Sequence, residues 1–399
     1  MTYESLLEDV YEAYFDCLKN KHGKISAIEF SMNYGNEIRK LTEELWSGSY
    51  EISKSIVFGV TRPKNREVFA ANFRDRVVHH LIMQKLCPIL ESYMIEDSFN
   101  CRVGKGTSKG ISRLQEQINL VSRGYTSPAY TLCLDIQGFF MSINKDKCRQ
   151  MTVYAIMESW CHGDLSWWVN LVEKVIMHRP EQHCIIKGDK SILDRLPDNK
   201  TLFRSNGKGL PIGNLTSQIF GNFYLTPFDK WLMSQIEGKA LYCRYVDDLR
   251  ITSTDKQFLL HLIPVIKSWL WQNLELCLHP NKISIQEVKK GVRFIGYIIT
   301  PHGLHISNRV VDHAFTVSKS IPRNKNETEA WCQRMNSYMG FLRQCKSYSI
   351  RRNVYDNVPD ETKANVICIN FKKYKINKSK YNVYNSNILS RGVQDCRKA

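Results

Sequence analysis

Two strand-forming apolar stretches, more than a hundred residues apart, each carry acid where a buried strand has no use for it. The first, YTLCLDIQGFFMSI from Tyr130 to Ile143, is broken by Asp135; the second, ALYCRYVDDLRITS from Ala240 to Ser253, holds the adjacent pair Asp247 and Asp248. Neighbouring carboxylates repel, and a charge in a buried strand is costly unless it meets a counter-ion or does chemistry. An isolated Asp-Asp pair is commonly a surface turn or a cap. Here, if the two strands pair in one sheet, the three acids converge, and a partner cation is the economical explanation.

Composition supports a folded chain with a polyanionic partner. At 399 residues and 43% hydrophobic content the chain can bury a sizeable core in more than one domain. Its net charge is +17, and from Val311 onward 17 Lys and Arg stand against 7 Asp and Glu. Basic charge alone can be a solvated surface, but FKKYKINKSKYNVY, Phe371 to Tyr384, interleaves lysines with rings that can stack on bases. Its Asn and Ser content also fits a disordered tail. The thirteen cysteines include no CxxC pair and follow no secretory leader, which reads as reduced, intracellular thiols. HRPEQHC, with His178, His183 and Cys184, lacks the paired spacing of a structural zinc site. No apolar run reaches membrane-spanning length, and a cytoplasmic protein without a membrane partner is expected.

Along the chain, Leu6, Leu7, Val10, Ala13, Tyr14 and Leu18 recur at helical spacing, and a second helical pattern covers Ala27 to Trp46. SKSIVFGVTRPKNREVFAANF alternates apolar and polar residues about Thr61–Asn65, which predicts a hairpin with a basic tip. A helix follows, containing His79 and His80, whose adjacency points them in different directions. A Gly-rich loop runs into a helix through GKGLPIGNLTSQIF, and LHPNKISI with VRFIGYIITPHGLHI predicts a strand pair before a basic helical C-terminal part.

With Asp135 in DIQGFFMSI, YVDD at Tyr245–Asp248, FIGYII at Phe294–Ile299 and LPIGNLTSQ between the acid-bearing strands, the chain resembles the reverse transcriptases from about Val57 to Arg352. Within them it is most similar to the enzymes of diversity-generating retroelements. Most bacterial relatives carry a pattern near PQGxxxSP where this chain has PIGNLTSQ, so Ile212 replaces a usual Gln and Gln218 a usual Pro. FRDRVVHH, DSFNCRVGKGTSKGI, NKTLFRSNGKGLPIGNLTSQ and MNSYMGFLRQCKSY have the same flavour. The resemblance implies an α+β right-hand polymerase: an N-terminal helical extension over 1–55, fingers over 56–128, the first part of an antiparallel palm over 129–150, an insertion over 151–209, the second part of the palm over 210–305, and a basic helical thumb and tail over 306–399.

The resemblance also implies roles. Asp135, Asp247 and Asp248, with Ile136, would hold two magnesium ions, with manganese as a substitute, for in-line nucleotidyl transfer. Lys282 would give a proton to the leaving pyrophosphate, or be surface charge. Phe140 matches a steric gate against a ribose 2′-hydroxyl, with a plain core ring as the alternative. Lys64 and Arg66 would clasp the triphosphate, and Ile212 and Gly213 would lie against the incoming nucleotide. Arg74, Arg102, Lys105, Ser217 and Gln218 would bear on template position and fidelity, although Arg74 has Asp75 beside it as an ion-pair partner. An isoleucine at 212 cannot make the hydrogen bonds a Gln could, which makes low fidelity physically reasonable. Family likeness narrows this to errors opposite template adenines. It implies as partners a template-repeat RNA, its RNA/cDNA hybrid, deoxynucleoside triphosphates and a small basic, pentameric accessory protein. A retron-type or defence-associated enzyme of ordinary fidelity, or a catalytically silent RNA-binding scaffold, are the rival readings.

Overall fold

The N-terminal periodicity becomes helix α1, Tyr3–Leu18, capped by the Thr2 hydroxyl, which accepts from the Ser5 N–H; it buries Leu6, Val10, Ala13, Tyr14 and Cys17. The second predicted helix is two, α2 (Ile25–Met32) and α3 (Tyr34–Trp46), because Asn33 leaves helical geometry between them. This computed structural model describes residues 1–19, 23–61 and 64–379. It divides into two compact units, one of residues 1–117 and 130–285, the other of 118–129 and 286–399.

In the first unit, strands β1 (Ser55–Val60) and β2 (Arg66–Ala70) form the expected antiparallel hairpin, from Ile56 opposite Ala70 to Val60 opposite Arg66. Arg62 and Pro63 of its basic tip lie outside the described residues. Helix α4 (Phe73–Tyr93) begins at Asn72, whose side chain accepts from the Arg74 N–H, and is buried along most of its length through Val77, Val78, Leu81, Ile82, Leu86 and Leu90. Next come α5 (Thr107–Ser122), strand β3 (Tyr130–Asp135), the single turn α6 (Phe139–Ser142), α7 (Lys145–Ser159) and α8 (Leu165–Met177). Strand β4 (Cys184–Ile186) joins β1 in parallel, and α9 (Lys190–Asp194), α10 (Leu215–Tyr224) and α11 (Thr226–Ile236) lead to strands β5 (Leu241–Tyr245) and β6 (Asp248–Ser253). Helix α12 (Lys256–Trp269) and strand β7 (Ser284–Glu287) follow.

The central sheet has the order β5-β6-β3-β7, so the two acid-bearing stretches are neighbours, the condition on which convergence of their acids depends. Strand parity then sorts the side chains. Leu132 and Leu134 of β3, Leu249 and Ile251 of β6 and Tyr242 of β5 turn into the core, against Phe223, Tyr224, Phe228 and the buried side of α4. Asp135 opposite Asp248, Cys133 opposite Arg250 and Thr131 opposite Thr252 make up the other face, where the two threonine hydroxyls bond at 3.0 Å.

The predicted pairing of LHPNKISI with VRFIGYIITPHGLHI does not occur: β7 completes the central sheet, while β8 (Val292–Phe294), β9 (Tyr297–Thr300) and β10 (Gly303–Ile306) form a separate antiparallel sheet. Gly291, at φ +96°, turns the chain between them. The second unit continues with α13 (Asn308–Ser318), α14 (Lys325–Leu342), α15 (Tyr348–Asp356), α16 (Asp360–Lys363) and the hairpin β11 (Val366–Ile369) with β12 (Lys373–Ile376). Its core is centred on Trp331, fully buried, whose indole donates to the Val317 carbonyl at 3.0 Å and meets the Tyr374 ring edge-on. Phe371–Tyr384 is therefore partly this hairpin, and its residues 380–384 lie outside the described residues.

Candidate active site

Two-residue connection Val246-Asp247 joins β5 to β6, with Tyr245 opposite Asp248. Val246 has φ +58°, a conformation that hairpin loops of this length ordinarily give to Gly or Asn. A β-branched residue held there stores strain of about 1–3 kcal/mol, which the surroundings must offset. They do so from the core side. Arg244, fully buried, donates to the Val246 carbonyl at 3.1 Å, to the Asn222 side-chain oxygen at 2.7 Å and to both carboxylate oxygens of buried Asp229. The Tyr242 hydroxyl completes the set by donating to Asp229 at 2.8 Å.

That scaffold sets the acids. Asp135 ends β3 directly opposite Asp248, and the Ile136 N–H donates to the Asp247 carbonyl at 3.2 Å, tying the end of β3 to the turn. Beyond it, Gln137 donates to the Cys277 carbonyl and His279 to that of Asp135, both at 2.8 Å; neither bond uses the Ile136 carbonyl. Lys282 reaches across to Asp135 at 2.5 Å, and Arg250, two residues along the same face, holds Asp248 at 2.5 Å. Desolvation, then the charge of Asp135, pushes the Asp247 carboxyl up to about 6. Burial also raises Asp248, against the opposing pull of Arg250.

Such a set of repelling oxygen donors has the chemistry of a hard divalent cation site. As placed, however, among the described residues no group of three or more His, Cys, Asp or Glu could hold an ion. Lys282 and Arg250 have instead taken up two of the three carboxylates, the arrangement that best relieves their repulsion. Asp135, Asp247 and Asp248 would hold a cation once those two basic side chains release them.

Around the acids, Gly138 at φ +56° lets the chain turn into α6 so closely that a Cβ there would stand 2.4 Å from the Asn199 carbonyl oxygen. Phe140 then lies half-buried, its ring against Phe139 and the Gly221 backbone, and its carbonyl accepts from the Leu210 N–H at 2.8 Å. The loop before α10 is pinned to β2: the Ile212 carbonyl accepts from the Phe69 N–H at 2.8 Å, and the Asn214 side chain accepts from Ala71 at 3.4 Å. Gly213, at φ +123°, allows this, since a Cβ would come within 2.6 Å of the Phe69 carbonyl oxygen. The Ile212 side chain packs against the small cluster of Val57, Phe69, Met141, Leu193, Leu196 and Leu202.

The remaining candidates separate. Ser217 is buried in α10, and Gln218 accepts from the Cys101 thiol at 2.6 Å. Arg66 is exposed at the start of β2, close in sequence to exposed Lys64. The other three charges are matched within their own surroundings. Arg74 pairs with Glu44 and lies over the Tyr50 ring; Arg102 donates to the Ile95 and Ser98 carbonyls; Lys105 pairs with Glu96. Their positions hold the 95–105 loop and the start of α4. Sequence reasoning passed over Arg244, Asp229, Asn222 and Cys101. The signal for Arg244 was available, since an arginine three residues from an apolar strand's Asp-Asp pair must either be exposed or find a buried carboxylate.

Residues 61–299, more than half of the chain, match the model of the family described as reverse transcriptase (RNA-dependent DNA polymerase), and the chain belongs to that family. Its fold is accordingly an α+β right-hand polymerase, and members of this family generally use divalent metal ions. No curated protein is a significant match. Among solved structures the chain is similar to apo telomerase from Candida tropicalis truncated from its C-terminal domain, with 12% identity over 64% of this chain and 55% of that one and a TM-score of 0.49. It is also similar to apo telomerase from Candida tropicalis (14%, 78% and 56%, TM-score 0.47) and to telomerase from Candida albicans in complex with a TWJ fragment of telomeric RNA (11%, 78% and 59%, TM-score 0.41). The chain spans a little over half the length of these telomerase chains. Among the described residues, no helix is long and apolar enough to cross a membrane.

Proposed function

We propose that this reverse transcriptase copies a template-repeat RNA into adenine-mutagenised cDNA, as the polymerase of a diversity-generating retroelement in a bacterial cytoplasm. The observation that carries the polymerase part is the register of Asp135 opposite Asp248, with Asp247 in the turn beside them and Lys282 on Asp135. Two magnesium ions, when bound, would activate the primer 3′-hydroxyl and neutralise triphosphate charge. The chain's own residues do the rest. Asp135 and Asp247 would hold the ions, with Asp248 in support, and Lys282, freed from Asp135, would give a proton to the departing pyrophosphate. Phe140 bears on the nucleotide sugar, and Lys64 and Arg66 on its phosphates. Fingers, palm and thumb follow the boundaries read from the sequence, and a small basic accessory protein serves as partner.

Support for the mutagenic part is the side chain at 212, which offers neither donor nor acceptor while its backbone is bonded to β2. The test is sequencing of DNA made by the purified protein with magnesium, four deoxynucleotides and an RNA containing the repeat, with and without the accessory protein. Errors concentrated at template adenines are expected, and Ile212→Gln should lower them by roughly an order of magnitude. Faithful copying would move the enzyme to a retron-type or defence-associated lineage. No synthesis by wild type, where Asp247→Ala also changes nothing, would make it an RNA-binding scaffold.

A further inference from the structure

Over its described residues, 371–379, the basic, ring-bearing segment is a built surface. Cross-strand pairs in the β11–β12 hairpin set Ile367 against Lys375 and Ile369 against Lys373. These four share one face and are exposed, while Val366 and Tyr374 on the other face are buried. Among the described residues of the segment, both rings are engaged in packing. Tyr374 packs on Trp331, and Phe371, at φ +52° in the hairpin tip, holds its ring between Tyr348 and Tyr355 while its carbonyl accepts from Arg351 at 3.0 Å. The Asn336 side chain bonds both the N–H and the carbonyl of Tyr374, at 2.7 and 2.8 Å, which fixes β12 to α14.

The lysines are thus presented from an anchored frame. Lys373 and Lys375, two residues apart on one strand face, stand about 6.6 Å apart along it, of the order of the step between neighbouring phosphates. Lys372 and Lys378 flank them, residues 364–379 contain no Asp or Glu, and among the described residues none of these four lysines forms an ion pair. We infer that this outer hairpin face, Lys373 and Lys375 with Ile367 and Ile369, is a binding site for the sugar-phosphate backbone of single-stranded RNA, without base preference. The charge selects the polyanion, and with Tyr374 buried the lysines rather than ring stacking supply the affinity of this face.

The inference rests on the polymerase reading only for its choice of polyanion. Binding of a labelled mixed-sequence single-stranded RNA is followed by fluorescence anisotropy in a potassium chloride series, without nucleotides, so an enzyme that makes no DNA and a hairpin that holds no RNA fail separately. For Lys373→Gln with Lys375→Gln, the slope of log affinity against log salt should flatten by about 1.4, and affinity should fall roughly 25-fold near 0.1 M salt. Lys373→Arg with Lys375→Arg should retain the wild-type slope, which distinguishes lost charge from lost folding. An unchanged slope in the glutamine variant would overturn the site and leave the face to a protein partner. So would an equal flattening from Lys319→Gln with Lys325→Gln, two exposed lysines elsewhere in the same unit, or a strong preference among homopolymeric RNAs, which would show base contacts.

Discussion

Arg244 and Asp247 lie three residues apart and pose opposite electrostatic problems. Arg244 is a buried charge with its partner supplied by Asp229, so the pair contributes little net stability but cannot be broken cheaply. Arg244→Ala should cost about 3–5 kcal/mol in chemical denaturation by stranding Asp229, and Arg244→Lys should recover only part of it, since an ammonium cannot reach Asn222, Val246 and Asp229 from one plane. A loss below about 1 kcal/mol would show that the network does not hold the turn. Asp247 is a half-buried charge beside another acid. Its carboxyl, raised from 3.8 to about 6, binds a proton more tightly in the folded chain than in the unfolded one. Its contribution to stability is therefore full below pH 4 and is lost as pH rises through 6. Asp247→Asn, measured in chelator, should raise stability at pH 8 by about 1–3 kcal/mol, with the gain vanishing near pH 4. A gain independent of pH would place its origin elsewhere.

At the scale of elements, the site depends on two close backbone approaches within the stretch between the acid-bearing strands. Gly138 turns β3 into α6, and Gly213 lets the loop before α10 lie on β2. Gly213→Ala meets both a positive φ and a backbone oxygen, neither of which a flexible side chain can yield, so a loss of about 2–4 kcal/mol is expected in urea unfolding. Because the same loop carries Ile212, the KM for deoxynucleotides should rise more than kcat falls. Wild-type stability and KM in this variant would mean that the loop is not seated on β2. The strand reading was sound where one face is apolar and the other is not, as in β3 and β6. It failed at β7, because a four-residue strand with no clear alternation does not reveal which sheet it joins. The long second helix failed for a local reason, the departure of Asn33 from helical geometry, which the apolar period runs straight across.

For the whole molecule, a net charge of +17 requires that RNA binding be dominated by released counterions. Log affinity for single-stranded RNA should fall linearly with log salt at a slope steeper than about −2, and a flat dependence would contradict a phosphate-binding surface of any kind. The sequence by itself pointed to three acids from two distant apolar strands meeting where those strands pair, because repelling charges in a buried strand have few other uses. It also determined the β1–β2 hairpin and the helix that follows it, α4. Only the tertiary structure decided how the charges are matched. Arg74, Arg102 and Lys105 look like template contacts as a list of cations, yet Glu44, the Ile95 and Ser98 carbonyls and Glu96 hold them. Nor could spacing show that Arg244 is buried against Asp229, or that Phe371 and Tyr374 are spent in packing. A charge or a ring has a role only relative to what stands within a few ångströms of it, and those neighbours come from parts of the chain far away in sequence.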